Sequence, residues 1–327
     1  MFMKALLCHE FGSTQNLLIG EIEKPLPKPN QMLIKVKACG INFPDALIIQ
    51  NKYQFKPELP FAPGGEISGT VEVVGSEVTH VKVGDQVFAQ IGWGGLAEYA
   101  LADSHKCYRI SKSVDPVTAA TTMYTSATAY YALNQRGQLK PGETLLVLGA
   151  AGGIGSAAIQ LGKLMGANVI AAASTDEKLA QSKANGADET INYTTEDLKE
   201  RCKALTNGKG VDVILDPVGD KYAEPSVRAL AWGGRYLVVG FTGGAPSKIP
   251  MNLPLLKGAS IVGVFWSAFA QKQPTENAQN FAQLIKWVEN GQLKQPIHKS
   301  YTLAQGKQAI QDLVERKVIG KNVVLID

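Results

Sequence analysis

The sequence predicts an α/β chain of two domains, one a β-rich barrel or sandwich and the other a doubly wound parallel sheet. Three observations predict it. At 327 residues the chain exceeds the length at which a single core stops growing. Apolar and polar positions alternate in short runs up to about residue 123, whereas from about residue 143 apolar strands alternate with helical patterns. Between 145 and 158, LLVLGAAGGIGSAA joins a strand to a helix of small residues through a glycine-rich turn.

In the first part the runs are Leu33 to Ala38, Val71 to Val74 and Val81 to Phe88. KPLPKPN at 24–30 and PELPFAPGG at 57–65 read as irregular connections, because proline has no N–H to give a sheet ladder. Apolar strands at 144–148, 168–173, 211–216 and 235–240 then frame helical patterns such as Leu198, Cys202 and Leu205, which specifies crossover helices on a parallel sheet. One more strand follows at 259–266, then amphipathic helices around 276–289 and 303–316. The closing NVVLID is expected to return the chain to the first domain. The domains are therefore placed at 1–123 with 265–327, and at 124–264.

Composition narrows the function. Hydrophobic residues make up 45% and charged residues 19%, an ordinary folded balance with no low-complexity block. The net charge of +4 comes from interspersed Lys, Arg, Asp and Glu, with no basic run to track a phosphate backbone, so a nucleic-acid partner is not expected. Lys4 and Glu10 interrupt the N-terminus and Gln160 and Lys163 the best apolar stretch, so neither a signal peptide nor a membrane span is expected. A soluble cytoplasmic protein follows as an expectation. The four cysteines contain no C-x-x-C pair, and His9, His80, His105 and His298 stand singly.

The turn at 150–155 reads Ala150, Ala151, Gly152, Gly153, Ile154, Gly155, so G-x-G-x-x-G is met at its second and third glycines and carries alanine at its first. Strand before and helix after supply the context the motif requires, with free N–H groups and the positive helix end converging on a pyrophosphate. Gly152 lets the backbone touch it and Gly155 lets the helix close on the sheet. The next strand ends in Ser174 and Thr175, not in the carboxylate that accepts hydrogen bonds from an NAD ribose. Ser174 and Glu177 have the spacing of a capping box, which gives Glu177 a helix-stabilising role. Lys178 and Tyr193 could then meet a 2′-phosphate, Lys178 being equally readable as a solvated surface lysine. NADPH is expected over NADH.

These stretches, with ATTMYTSATAYYAL at 120–133, GGRYLVVGF at 233–241, CGINFPDALIIQNKY at 39–53, LPFAPGGEISGTV at 59–71 and the final GKNVVLID, together resemble the zinc-free quinone oxidoreductase branch of the medium-chain dehydrogenase/reductase superfamily. The resemblance covers essentially the whole chain. It implies a GroES-like β-barrel-type catalytic domain, a Rossmann NADPH-binding domain and a homodimer paired through an edge strand, here GASIVGVF at 258–265. Zinc-using relatives carry Cys and His where this chain has Ile41, Asn42, Phe43 and Gly65, so no zinc is expected.

Without a metal to polarise a carbonyl, the electron acceptor must already be electron-poor: a quinone, or an alkene conjugated to a carbonyl. The resemblance implies Tyr53 as hydrogen-bond donor to the acceptor, Asn42 near the nicotinamide and Thr128 near its ribose. Phe241, Val264, Phe265 and Trp266 would line the nicotinamide pocket, and Ala151, Gly153, Ile154, Lys321 and Asn322 join the cofactor set. Each has a plainer role open to it. Tyr53, with an ordinary pKa near 10, could only shape a wall; Asn42 could fix a turn; Thr128 could be an ordinary helix residue; Phe265 and Trp266 could be core. Two other functions fit the same residues: reduction of enones or enoyl thioesters, and an NADPH-binding structural or RNA-binding role of the crystallin kind.

Overall fold

From the N-terminus the chain runs through β1 (Phe2–Cys8), β2 (Leu17–Glu23), β3 (Gln31–Gly40), α1 (Phe43–Ile48), β4 (Glu66–Val74), β5 (Gln86–Gln90), β6 (Tyr99–Asp103) and β7 (Cys107–Arg109), then α2 (Pro116–Tyr131). A repeating part follows: β8 (Thr144–Leu148), α3 (Gly153–Leu164), β9 (Asn168–Ala173), α4 (Asp176–Ala184), β10 (Glu189–Asn192), α5 (Leu198–Leu205), β11 (Val211–Asp216), α6 (Ala223–Ala229) and β12 (Leu230–Val238). It continues with α7 (Asn252–Lys257), β13 (Ser260–Gly263), α8 (Trp266–Lys272) and α9 (Pro274–Glu289), before β14 (Ile297–Thr302), α10 (Gly306–Val314) and β15 (Lys321–Leu325) close the chain. The computed structural model describes residues 1–326; Asp327, the last residue of NVVLID, lies outside the described residues.

The first unit comprises Met1–Tyr124 and the segment from Ile285 onward. Its main sheet has the order β14-β15-β3-β4-β5-β7, with β6 also on β3, and β1 and β2 form a separate pair. Because β3 is covered from several sides, its alternation gives way to a nearly continuous buried run, with Met32, Ile34 and Val36 meeting Ile67 and Val71 of β4 in one core. The closing strand returns as expected: Val323, Val324 and Leu325 pair antiparallel with Gly40, Cys39 and Ala38. Of the expected run from Val81 to Phe88, only the part from Gln86 is strand, because the Asp85 carboxylate accepts from the Lys82 N–H at 3.0 Å and closes a turn.

The second unit, Thr125–Leu284, is a six-stranded parallel sheet in the order β10-β9-β8-β11-β12-β13. Leu145–Leu148 and Val213–Leu215 are fully buried, as strands covered on both faces must be. Strand order reverses between β8 and β11, and ligands of open α/β sheets bind beyond the carboxyl ends at such a reversal. This unit runs to Leu284, not to 264, because α8 and most of α9 belong to it. Phe269 stacks on Tyr131 with centroids 4.2 Å apart, and the Trp266 ring stands edge-on to Phe281 at 6.1 Å. Among the described residues no helix is long and apolar enough to cross a membrane.

One polar fastening ties the amino end of this sheet together. Arg235 on β12 grips Glu143 with two parallel bonds of 2.9 and 2.6 Å and also donates to the carbonyls of Gly137, Gln138 and Asp212. The guanidinium holds the Glu143 carboxyl below its usual range, against a burial effect that raises it. Only a planar fork fits this geometry. Arg235→Ala is expected to cost about 2 kcal/mol in urea denaturation, with Arg235→Lys recovering less than half.

Candidate active site

At the strand reversal, β8 leads through Gly149 to Gly152, the N-cap of α3. The left-handed conformation the turn needs falls on Gly149, at φ +56°, one residue before the motif position occupied by Ala150. Ala150 can therefore be alanine, buried and donating to Ala172 O at 3.1 Å. A Cβ on Gly155 would stand 2.4 Å from Gly149 O and 2.7 Å from Ala150 Cα, so glycine is what lets α3 approach. First-turn N–H groups such as those of Ile154 and Gly155 have no carbonyl partner within their helix, and the helix dipole adds positive potential there. Such an end accepts a diphosphate.

The cap of α4 differs from the expected box. Thr175, in extended conformation, is the N-cap, and its hydroxyl accepts from Lys178 N at 3.3 Å. Ser174 is left to face the Lys178 ammonium at 3.4 Å. Tyr193 joins them, its N–H donating to Ala173 O at 3.2 Å, and its ring lies 4.2 Å from that of Tyr222. The Asp176 carboxylate accepts from Asn192 Nδ2 at 3.0 Å. Ser174, Lys178 and Tyr193 thus share one strand end, next to Asp176 and Glu177 in the first turn of α4.

Asp216, missed in the sequence, closes the site from β11. One carboxylate oxygen accepts from Val218 N and Gly219 N at 2.7 and 2.8 Å, and the other from the buried Tyr236 hydroxyl. Burial pushes this carboxyl up, and those three donors pull it down. The turn it fixes holds the next loop, through Thr242 Oγ1 to Pro217 O at 2.9 Å and Gly243 N to Val218 O at 2.8 Å. Phe241 stands half exposed on that loop. Val264 is hydrogen-bonded to β12 through Val238 O, Phe265 is 51% exposed, and Thr128 lies buried on α2. Trp266 is a correction: it begins α8 instead of ending a strand, and its indole donates to Asn277 Oδ1 at 3.0 Å inside the unit. An acid ending an apolar strand, as in VILDPVG, was the available signal for Asp216.

A second polar cluster lies within the first unit. Asn42 is the N-cap of α1, and its N–H donates to Asp45 Oδ2 at 2.7 Å. Asp45 Oδ1 accepts from Gly64 N at 3.2 Å. The Asn42 amide nitrogen donates to Glu66 Oε2 at 2.9 Å and Gly40 O at 3.3 Å, while Lys321 Nζ donates to Asn42 Oδ1 at 2.5 Å and Glu66 Oε2 at 3.1 Å. Glu66 Oε1 accepts from Tyr124 N at 2.8 Å. The Tyr124 and Tyr53 hydroxyls are hydrogen-bonded to one another, and burial with the nearby Tyr53 pushes the Tyr124 phenol well above its usual range. Tyr53 itself packs against the core with its ring edge-on to Phe55 at 5.9 Å.

Lys321 and Asn322 correct an expectation. Both were placed with the cofactor set, yet both side chains turn into the first unit, Asn322 Nδ2 donating to Ala309 O at 2.9 Å, because β15 is an inner strand between β14 and β3. Glu66 and Asp45 were missed as site residues. Among the described residues no group of His, Cys, Asp or Glu is placed to hold a metal, and the four cysteines are unpaired and buried. An open cleft of about 520 Å³ lies in the second unit beside Lys221 and Lys248, without touching the glycine turn or Lys178. Its wall charges include the Glu224–Arg228 ion pair.

A chain that pairs a GroES-like sheet unit with a dinucleotide-type parallel sheet defines an oxidoreductase class, and the comparisons agree. Residues 28–112 match the alcohol dehydrogenase GroES-like domain and residues 153–290 the zinc-binding dehydrogenase family. The chain belongs to the medium-chain dehydrogenase/reductase superfamily, in its quinone oxidoreductase branch. It is 38% identical to quinone oxidoreductase-like protein 2 homolog of Nematostella vectensis, over 98% of this chain and 88% of that one. It is 34% identical to human quinone oxidoreductase, over 99% and 98%. The Escherichia coli quinone oxidoreductase complexed with NADPH superimposes with a TM-score of 0.91 at 28% identity, over 99% of this chain and 100% of that one.

Asp45 supplies a pH dependence. Burial pushes its carboxyl up from 3.8 to about 6, although the Asn42 and Gly64 N–H groups and the Lys321 ammonium oppose the rise. A carboxyl raised in the folded state favours folding below its unfolded pKa, and that contribution is lost as pH rises through the folded value. Relative to Asp45→Asn, the wild type is expected to lose about 2 kcal/mol of stability between pH 4 and pH 7. Paired urea titrations at the two pH values measure the difference, and a pH-independent gap would contradict the assignment.

Proposed function

We propose that this chain is an NADPH-dependent, metal-free quinone oxidoreductase that delivers hydride from nicotinamide C4 to a quinone. One observation carries the reading: a diphosphate-type glycine turn at the strand reversal, followed by a strand that runs into Ser174, with Lys178 facing it and Tyr193 beside it, not into a carboxylate. The glycine turn from Ala151 to Gly155 holds the diphosphate, with N–H groups at the start of α3 such as those of Ile154 and Gly155 as its donors, and Lys178 meets the 2′-phosphate. Thr128, Phe241, Val264 and Phe265 border the nicotinamide end. When bound, the nucleotide supplies the hydride. Tyr53 donates a hydrogen bond to the acceptor oxygen on which negative charge grows. The zinc-free reading is supported by the donor set: an amide, an ammonium and a carboxylate satisfy one another around Asn42.

Two further parts belong to this reading. The unpaired edge strand β13 carries half-exposed Ile261, and Trp232, Met251, Leu255 and Leu256 expose apolar surface on neighbouring β12, α7 and its approach, so the enzyme forms a homodimer through this edge. Four unpaired, buried cysteines suit a reducing compartment, in keeping with the cytoplasm.

Initial rates with a 1,4-quinone, an α,β-unsaturated ketone and an enoyl thioester test the activity, and a preference for either alkene by more than tenfold would reassign the substrate. Tyr53→Phe is expected to lower kcat at least tenfold with NADPH affinity kept. Lys178→Ala is expected to weaken NADPH about tenfold and NADH less than twofold, the loss of one charge-assisted contact. Equal weakening of both would sink the 2′-phosphate assignment. Sedimentation at 35.0 kDa instead of about twice that would exclude the dimer.

A further inference from the structure

A large apolar side chain left in water forgoes the stabilisation that burial gives, so a rigid loop that keeps one exposed calls for a reason. Trp93, 40% exposed between β5 and β6, is such a side chain. Its neighbours Gly92 and Gly94 both take left-handed φ, +84° and +98°, where an added Cβ would meet nothing closer than 4.0 Å. Glycine is needed there for the backbone, not for room. The loop is also held fast. Ile91 N and Gly95 N donate to Gly65 O and Gly64 O, each at 2.8 Å, and Gly94 N donates to Ala62 O at 2.7 Å.

Those bonds set Trp93 beside the polar cluster of the first unit. Gly64 N donates in turn to Asp45 Oδ1, and the Asp45 charge acts on the Tyr124 hydroxyl that is bonded to Tyr53. Among the described residues, three of this unit's four exposed Phe and Trp side chains belong to α1 and the loops around it. Phe43 opens α1, Phe55 stands edge-on to Tyr53, and Trp93 rides on the loop fastened to Gly64 and Gly65.

We propose that Trp93 is a specificity-determining residue, an indole platform on which a flat, ring-closed electron acceptor stacks while Tyr53 bonds to its oxygen. The proposal rests on the quinone reading above and narrows it to cyclic acceptors. The face of an indole is electron-rich and a quinone ring is electron-poor, so offset stacking attracts the two beyond the area they bury. An acyclic enone or enoyl thioester has no ring to lay on that face. A platform must also hold its angle, which the two glycines and the three backbone bonds ensure.

Steady-state kinetics with 1,4-naphthoquinone and with an acyclic α,β-unsaturated ketone test the platform. Trp93→Ala is expected to raise the naphthoquinone KM about tenfold and the ketone KM less than about twofold, the loss of one stacked ring. Its NADPH Kd is expected within about twofold of wild type, and its melting temperature close to wild type, since the side chain is already half in water. Trp93→Phe keeps a ring and is expected to hold the naphthoquinone KM within about threefold. Equal penalties for both acceptors, a naphthoquinone KM unchanged in Trp93→Ala, or a penalty confined to NADPH overturns the proposal. Equilibrium dialysis with naphthoquinone separates the proposal from the reading beneath it. Wild type that binds naphthoquinone about tenfold more tightly than Trp93→Ala, yet does not reduce it, overturns only the oxidoreductase reading. Wild type that neither binds nor reduces it overturns both.

Discussion

The carboxylate of Glu66 has no contact with solvent, and a charge so placed must be paired or the fold fails. Its partners come from three distant parts of the chain: the Asn42 amide at the start of α1, the Lys321 ammonium on the closing strand and the Tyr124 N–H within α2. Apolar burial could bring β15 back to β3 in more than one register. A one-residue slip would carry Lys321 off Glu66, leaving two unpaired charges in a core that also contains Cys39 and Val324. The ion pair therefore acts on register more than on total stability. By the same contacts it brings α1, and with it Asn42 and Asp45, into a defined place.

The second unit solves a comparable problem with backbone. Three strands end at the reversal of the sheet, and their connecting turns must all be tight at one spot. Gly155 makes room for the carbonyl of Gly149, whose missing side chain leaves space for Val218. Asp216 fixes Val218 and Gly219 through their N–H groups, and the loop after β12 hangs on the carbonyls of the same turn. An acid can do this where an amide could not, since three donors converge on it and only a carboxylate is acceptor on both oxygens. With the turn satisfied internally, the Ile154 and Gly155 N–H groups are left without a carbonyl partner inside their own helix.

Much of this was legible in the sequence because it rests on local chemistry. The change from period two to alternating strands and helices marked the second sheet, and the context around Gly152 and Gly155 identified the turn despite Ala150. What was illegible depends on choices between equivalent neighbours or on contacts far along the chain. Ser174 and Thr175 are both good caps, and only the backbone decides that Thr175 takes the role. Phe265 and Trp266 continue an apolar run that reads as strand, yet Trp266 finds Asn277 and Phe281 in the next helices and turns the chain into α8. Lys321 sits in a motif that implied a cofactor contact, and its partners lie some 255 and 279 positions away.

The neutrality of the donors follows from the same electrostatics. Asp45 and Glu66 crowd negative charge into the first unit, and their field, with burial, raises the cost of making a phenolate nearby. Tyr124 therefore keeps its proton, and its hydroxyl is hydrogen-bonded to that of Tyr53. A tyrosine that receives a hydrogen bond on its oxygen becomes a better donor through its own hydrogen, because the two bonds polarise one another. On the proposed reading, such a pair would steady a growing oxyanion without surrendering a proton to solvent. It suffices only where the acceptor is already electron-poor. On the same reading, a simple ketone, which needs a Lewis acid to take hydride, would meet an ammonium already bonded to Glu66 and Asn42 and an Asn42 amide whose hydrogens go to Glu66 and Gly40.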